Sequence, residues 1–158
     1  MVFNLFKKKE TFIAPVSGKL IPITEVNDQV FSQKLMGDGF AIVPSDGTVY
    51  APLSGTISFC FPTKHAVGIK TDKGIEILIH MGLDTVELKG EGFNSYVSEG
   101  QKVKQGDKLA VMDLEAIKAK GYDCTVMIIL PNSAVKSLED PKNIEHHQEI
   151  TLKLQTIE

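Results

Sequence analysis

One seven-residue phrase occurs twice in this chain. Ala14-Pro15-Val16-Ser17-Gly18-Lys19-Leu20 returns as Ala51-Pro52-Leu53-Ser54-Gly55-Thr56-Ile57. A second matching run follows each copy: Gly39-Phe40-Ala41-Ile42 is echoed by Ala66-Val67-Gly68-Ile69, and Gly47 by Gly74. The copies are offset by 37 residues in the first run and by 27 in the second. The difference is about the length of Asn27–Met36, which reads as an insertion in the first copy. That stretch predicts a short helix capped by Asn27 or Asp28, with Val30, Phe31, Leu35 and Met36 on one side. Two small β units cannot each bury a core, but two packed together can. A solenoid would need three or more copies, and only two are legible.

The rest of the chain supports this reading. Short runs rich in Val, Ile, Thr and Phe are broken by Gly, Pro and Asp about every eight to twelve residues, the rhythm of an all-β domain. A second short helix is expected around Leu114–Lys120, ended by Gly121. The predicted class is an antiparallel β-sandwich, or barrel-sandwich hybrid, with a duplicated motif and one or two short helices. The 158 residues fit one domain, expected over 12–158. The tail, 1–11, carries Val2, Phe3, Leu5 and Phe6 ahead of Lys7-Lys8-Lys9, a pattern suited to weak contact with an anionic membrane surface. A frayed terminus is the simpler reading.

Composition narrows the function. No apolar run approaches the roughly 20 residues of a membrane-spanning helix. The formal net charge is −3 and there is no arginine, which argues against nucleic acid as a partner. Cys60 and Cys124 make neither a disulfide framework nor a zinc spacing, as suits a reducing cytoplasm. A monomer without cofactor or metal is expected.

The chemistry lies in two of the four histidines. His146 and His147 sit in a polar stretch and are expected at the surface, with no nearby third ligand to make a metal site. In Ile75-Glu76-Ile77-Leu78-Ile79-His80 the isoleucines face the core, leaving Glu76, Leu78 and His80 outward. A tight hairpin at Asp72-Lys73-Gly74 puts His80 opposite residue 65, 66 or 67. Strict alternation would turn His65 toward Val67 and Ile69, so the two imidazoles share a face only if a bulge intervenes or the strand begins after His65. A neutral imidazole is itself a nucleophile, which makes phosphoryl transfer onto His80 an option, with His65 or Thr63 offering hydrogen bonds. No Gly-x-Ser-x-Gly elbow is present for acyl transfer, and a zinc hydrolase would need a third ligand. Val30, Phe31, Leu35, Met36, Phe61, Leu78, Met81 and Val86, with Asp28, Asp38, Asp84 and Glu87, are candidates for an apolar docking patch with an acidic rim. Such a rim favours a basic partner.

Pro62-Thr63-Lys64-His65-Ala66-Val67-Gly68-Ile69, Leu78-Ile79-His80-Met81-Gly82-Leu83-Asp84-Thr85-Val86 and Leu88-Lys89-Gly90-Glu91-Gly92-Phe93 closely resemble the glucose-family enzyme IIA components of the bacterial phosphoenolpyruvate–sugar phosphotransferase system. The resemblance runs from about Ala14-Pro15 to Gly106-Asp107. It implies that His80 accepts a phosphoryl group from the phosphocarrier HPr and passes it to a cysteine of a IIB domain. It also implies that His65 is the partner of His80, that Thr63 orients His65 or the phosphoryl group, and that Asp84 lies at the docking surface. The implied fold is an antiparallel β-sandwich with a duplicated motif. A rival is a biotinyl- or lipoyl-type carrier, because 97–109 has the glycine spacing of such domains and Lys73 sits at a predicted hairpin tip. Gly74 after that lysine is a poor flank for an attachment site, and the rival gives His80 no task.

Overall fold

A computed structural model describes residues 8–157. The described residues form fourteen strands: β1 (Lys8–Ile13), β2 (Gly18–Pro22), β3 (Asp38–Pro44), β4 (Thr48–Tyr50), β5 (Gly55–Cys60), β6 (Ala66–Lys70), β7 (Glu76–Met81), β8 (Phe93–Ser95), β9 (Lys102–Val103), β10 (Lys108–Met112), β11 (Val126–Leu130), β12 (Ser133–Ser137), β13 (Lys142–Ile144) and β14 (Glu149–Thr156). They form one eight-stranded sheet, ordered β13-β2-β3-β11-β7-β6-β5-β9, and two three-stranded sheets, β1-β14-β12 and β4-β10-β8. All pairings are antiparallel. The large sheet keeps two free edges, so the fold is an open sandwich and not a closed barrel.

The duplication is deeper than the repeated phrase. Matching β1 with β4, β2 with β5, β3 with β6, β11 with β7, β12 with β8, β13 with β9 and β14 with β10 reproduces all three sheet orders. One unit, β4 to β10, is inserted between β3 and β11 of the other. The registers agree: Leu20 faces Ile42 in one copy and Ile57 faces Ile69 in the other. The backbone of Ala14 exchanges hydrogen bonds with Gln148 and His147, as Ala51 does with Asp107 and Gly106. The two turns before β10 and β14 are built alike. Lys104 N–H donates to the Asp107 carboxylate and Glu145 N–H to the Gln148 side-chain carbonyl. Gly106 and His147 both have positive φ, at 94° and 70°.

The main core fills the sandwich, with Phe12, Leu20, Phe40, Ile57, Ile79, Leu109, Ile128 and Leu152 buried. A second apolar cluster lies on the opposite face of the large sheet: Ala41, Ala66, Leu78, Met127 and Ile129 under Ile23, Val26 and Phe31. Its cover is the segment 23–37, a 3-10 turn (Ile23–Glu25) followed by α1 (Gln29–Ser32). Asp28 caps α1 by accepting from Val30 N–H at 2.9 Å. The insertion is therefore real, although its helix is a single turn and not the whole of 27–36. The second predicted helix is α2 (Leu114–Ala119), capped by Asp113. Lys9, Glu10 and Thr11, placed by the sequence reading in a tail, pair with β14 as part of β1. The apolar tip, Val2 to Phe6, lies outside the described residues. No helix among the described residues is long and apolar enough to cross a membrane.

Candidate active site

The hairpin of β6 and β7 sets the register that the chemistry needs. Ala66 lies directly opposite His80, and the three-residue tip is closed by Thr71 N–H donating to Ile75 O at 2.9 Å. Strand β6 begins at Ala66, just after His65. Lys64 has φ 61°, and this left-handed step takes His65 out of strand alternation. Met81 N–H donates to His65 O at 2.7 Å and fixes the loop to β7. Both imidazoles thereby share the outer face of the sheet, with ring centroids 5.0 Å apart and planes at 75°. Of the two routes left open by the sequence, the strand beginning after His65 is the one taken.

Each ring has a defined partner. The Nδ1 of His80 lies 2.8 Å from Gly82 O. A carbonyl only accepts, so Nδ1 carries the proton and Nε2 carries the lone pair. Thr63 Oγ1 meets Nδ1 of His65 at 2.6 Å. Phe31, from the insertion, packs against His80 with centroids 5.0 Å apart, and Phe61 against His65 at 5.2 Å. Burial, followed by the neighbouring His65, pulls the pKa of His80 down to about 4. The Gly82 hydrogen bond and the carboxylates of Asp28 and Asp84 oppose that shift. Burial also lowers the pKa of His65. At neutral pH the site holds two neutral imidazoles side by side, the nucleophilic form of the group.

The surrounding patch is smaller than the sequence suggested. Val30, Leu35, Met36, Phe61 and Val86 are exposed, Leu35 by 69%, and Asp84 is exposed beside them. Phe31 and Leu78 are buried in the second apolar cluster, so they support the site from beneath and do not present a docking surface. Met81 is a correction of a different kind. It is one residue past His80 in a strand, so its side chain enters the main core on the other face. Asp38 is also removed from the rim, because its carboxylate accepts from Gly39 and Val135 N–H, at 2.8 and 2.9 Å. What the sequence reading missed is the acceptor for His80. That acceptor is the backbone carbonyl of Gly82, and a backbone carbonyl leaves no residue type by which to recognise it.

His146 and His147 are exposed, as expected, and pack on Tyr50, on the turn before β14. Among the described residues, no group of three His, Cys, Asp or Glu is placed to hold a metal ion. Cys60 and Cys124 are free thiols, and burial raises the pKa of each, which disfavours the thiolate. Lys73 is at the hairpin tip, 3.6 Å from the carboxylate of Glu10.

The model of one protein family, described as phosphoenolpyruvate-dependent sugar phosphotransferase system, EIIA 1, matches residues 10–135. Among solved structures, glucose permease IIA from Mycoplasma capricolum is 41% identical in sequence and superimposes with a TM-score of 0.85. The match covers 92% of this chain and 96% of that one.

Proposed function

The chain belongs to the EIIA 1 family of the phosphoenolpyruvate-dependent sugar phosphotransferase system, and from that premise we propose that His80 is its phosphoryl acceptor. The observation that carries this reading is the hydrogen bond from Nδ1 of His80 to Gly82 O, which leaves Nε2 as an unprotonated lone pair beside His65. In the accepting step, that lone pair forms a P–N bond while the donor's bond to phosphorus breaks and the donor keeps the electron pair. In the onward step, a thiolate of the next protein forms a P–S bond, and the His80 P–N bond breaks to restore the neutral ring. Little covalent chemistry is required of the surrounding groups, whose work is alignment and charge stabilisation.

His65 and Thr63 supply that stabilisation. With the Thr63 hydroxyl donating to Nδ1, His65 keeps its proton on Nε2 and can donate it to a phosphoryl oxygen. The chain has no arginine and both imidazoles are neutral, so positive charge at the phosphoryl group is assigned to lysines or to the partner. HPr is the proposed donor and a cysteine of a sugar-specific IIB domain the proposed acceptor. Val30, Leu35, Met36, Phe61 and Val86 form the apolar contact that excludes water during transfer, and Asp84 meets a basic partner. The transferring domain acts as a monomer in the cytoplasm and needs no cofactor.

The test is incubation of the purified chain with phosphoenolpyruvate, enzyme I and HPr, with the acid-labile phosphoryl group mapped by mass spectrometry. The expected result is phosphate on His80 in the parent protein and none in His80→Gln, because an amide is not a comparable nucleophile. Active upstream components that leave His80 unmodified would overturn the reading.

A further inference from the structure

Two consecutive peptide groups follow His80, and each is held at both ends. In the Met81–Gly82 peptide, the carbonyl of Met81 accepts from Thr85 Oγ1 at 2.6 Å, and Gly82 N–H donates to Thr125 O at 2.8 Å. In the Gly82–Leu83 peptide, Leu83 N–H donates to Asp123 O at 2.9 Å, and the Gly82 carbonyl accepts from Nδ1 of His80. A trans peptide is planar, with its C=O and N–H on opposite sides. Fixing the Leu83 N–H on Asp123 therefore aims the Gly82 carbonyl at the imidazole. The loop fits only without a side chain at 82, which has φ 88° and where a Cβ would meet Thr85 Cγ2 at 2.4 Å and Asp123 O at 2.9 Å.

The receiving carbonyls are themselves fixed. The Asp123 carboxylate accepts from Thr125 N–H at 2.7 Å and from Thr125 Oγ1 at 2.6 Å, closing the turn that carries both Asp123 O and Thr125 O. Thr85 is fully buried, so Met81 O has no water to replace the hydroxyl if it is lost. An unconstrained neutral imidazole exchanges its proton between two nitrogens, and only one tautomer leaves the Nε2 lone pair available.

We infer that Thr85 and Asp123 are positioning residues for phosphoryl transfer. They act through the Gly82 carbonyl to keep the proton of His80 on Nδ1 and the nucleophilic lone pair on Nε2. This inference rests on the reading of His80 as the acceptor. The imidazole's hydrogen bond goes to Gly82 O, so Thr85 works through Met81 O, and Asp123 through the turn it closes.

The ring nitrogens of His80 report the tautomer directly by NMR in the unphosphorylated protein. Thr85→Val, nearly isosteric but without the hydroxyl, is expected to give a mixture of tautomers at His80. It should also slow phosphoryl acceptance at saturating donor about tenfold, with the KM for donor unchanged. Thr85→Ser restores the hydroxyl and both readouts. Asp123→Ala should move both in the same direction by less, and carries the test if Thr85→Val does not fold. The inference is overturned if the Nδ1–H tautomer and the acceptance rate persist in Thr85→Val and Asp123→Ala while only the melting temperature falls. If the tautomer shifts as expected but the parent protein carries no phosphate on His80, the positioning network stands and the phosphoryl reading fails.

Discussion

The two copies of the β unit share a register and differ in what joins their strands. Between β2 and β3 the chain runs through residues 23–37, and between β5 and β6 only through 61–65. The longer link supplies Ile23, Val26 and Phe31, which cover the outer face of the large sheet. The shorter link supplies Thr63 and His65, which lie at the edge of that cover beside His80. Equal parts of the molecule make the scaffold, and unequal parts make the site. One copy gives the wall that covers His80 and the other gives both histidines, so neither unit alone would present a desolvated imidazole pair.

The sharpest way to probe that division is to change the polar copy alone. His65→Gln leaves the nucleophile and the wall in place but removes the imidazole that faces the transferred group. His80 is expected to remain modifiable, while onward transfer falls about a hundredfold, the scale of one well-placed donor in the transition state. Single-turnover transfer from the isolated phosphoprotein measures it. A variant that accepts no phosphate would show that His65 acts in the first step and that the roles of the two rings are assigned wrongly.

The scaffold was legible in the sequence where the two copies repeat each other and obscure where they have diverged. Pro15, Ser17 and Gly18 reappear as Pro52, Ser54 and Gly55, because each begins a strand after the same turn. The match between the turns Lys104–Asp107 and Glu145–Gln148 is not legible in the sequence, since Gly106 is answered by a histidine and Asp107 by a glutamine. What those turns preserve is a hydrogen-bond pattern, which different residue types satisfy. The site followed the same rule. His80 and its outward face came from period-two alternation, whereas the burial of Phe31 and Leu78 depends on how the insertion folds over the sheet. The turning of His65 depends on one positive φ at Lys64, a residue type that does not announce it.

Burial of His80 next to His65 gives a second test, through stability. A folded-state pKa of about 4 lies below the unfolded value of about 6.5, so the unfolded chain binds the proton more readily. Stability is then full above about pH 6.5, declines as the pH falls through that value, and stops declining from this source below about pH 4. Between pH 7.5 and 5 the loss from His80 alone is on the order of 2 kcal/mol. Denaturant unfolding of the parent and of His80→Gln at both pH values should show a shallower decline in the variant. Equal declines would mean that folding does not hold the His80 pKa below its ordinary value.

Phe31→Ala tests the apolar copy. Removing the ring that packs against His80 admits water without touching either histidine's hydrogen bond. The His80 pKa should rise toward the ordinary value by about one unit, or about 1.4 kcal/mol, followed by NMR titration. If the pKa stays near 4, the sheet and His65 suffice to desolvate it, and the insertion serves docking more than electrostatics.

The smallest effect is expected where the copies differ without consequence for the site. His147 occupies the place of Gly106 in the matching turn, with φ 70° against 94°. Replacing it by glycine relieves a left-handed backbone that a side chain disfavours, a gain of about 1 kcal/mol. The same change loses the edge contact with Tyr50, the hydrogen bond from Nε2 to Gly106 O at 3.1 Å and the 2.6 Å contact of Nδ1 with His146 Nδ1, all at an exposed turn where together they are worth about 1 kcal/mol. His147→Gly should therefore leave stability within about 1 kcal/mol of the parent and phosphoryl acceptance unchanged. A large drop in either would mean that this second histidine pair has a task of its own, and that the asymmetry of the two units extends beyond the links between their strands.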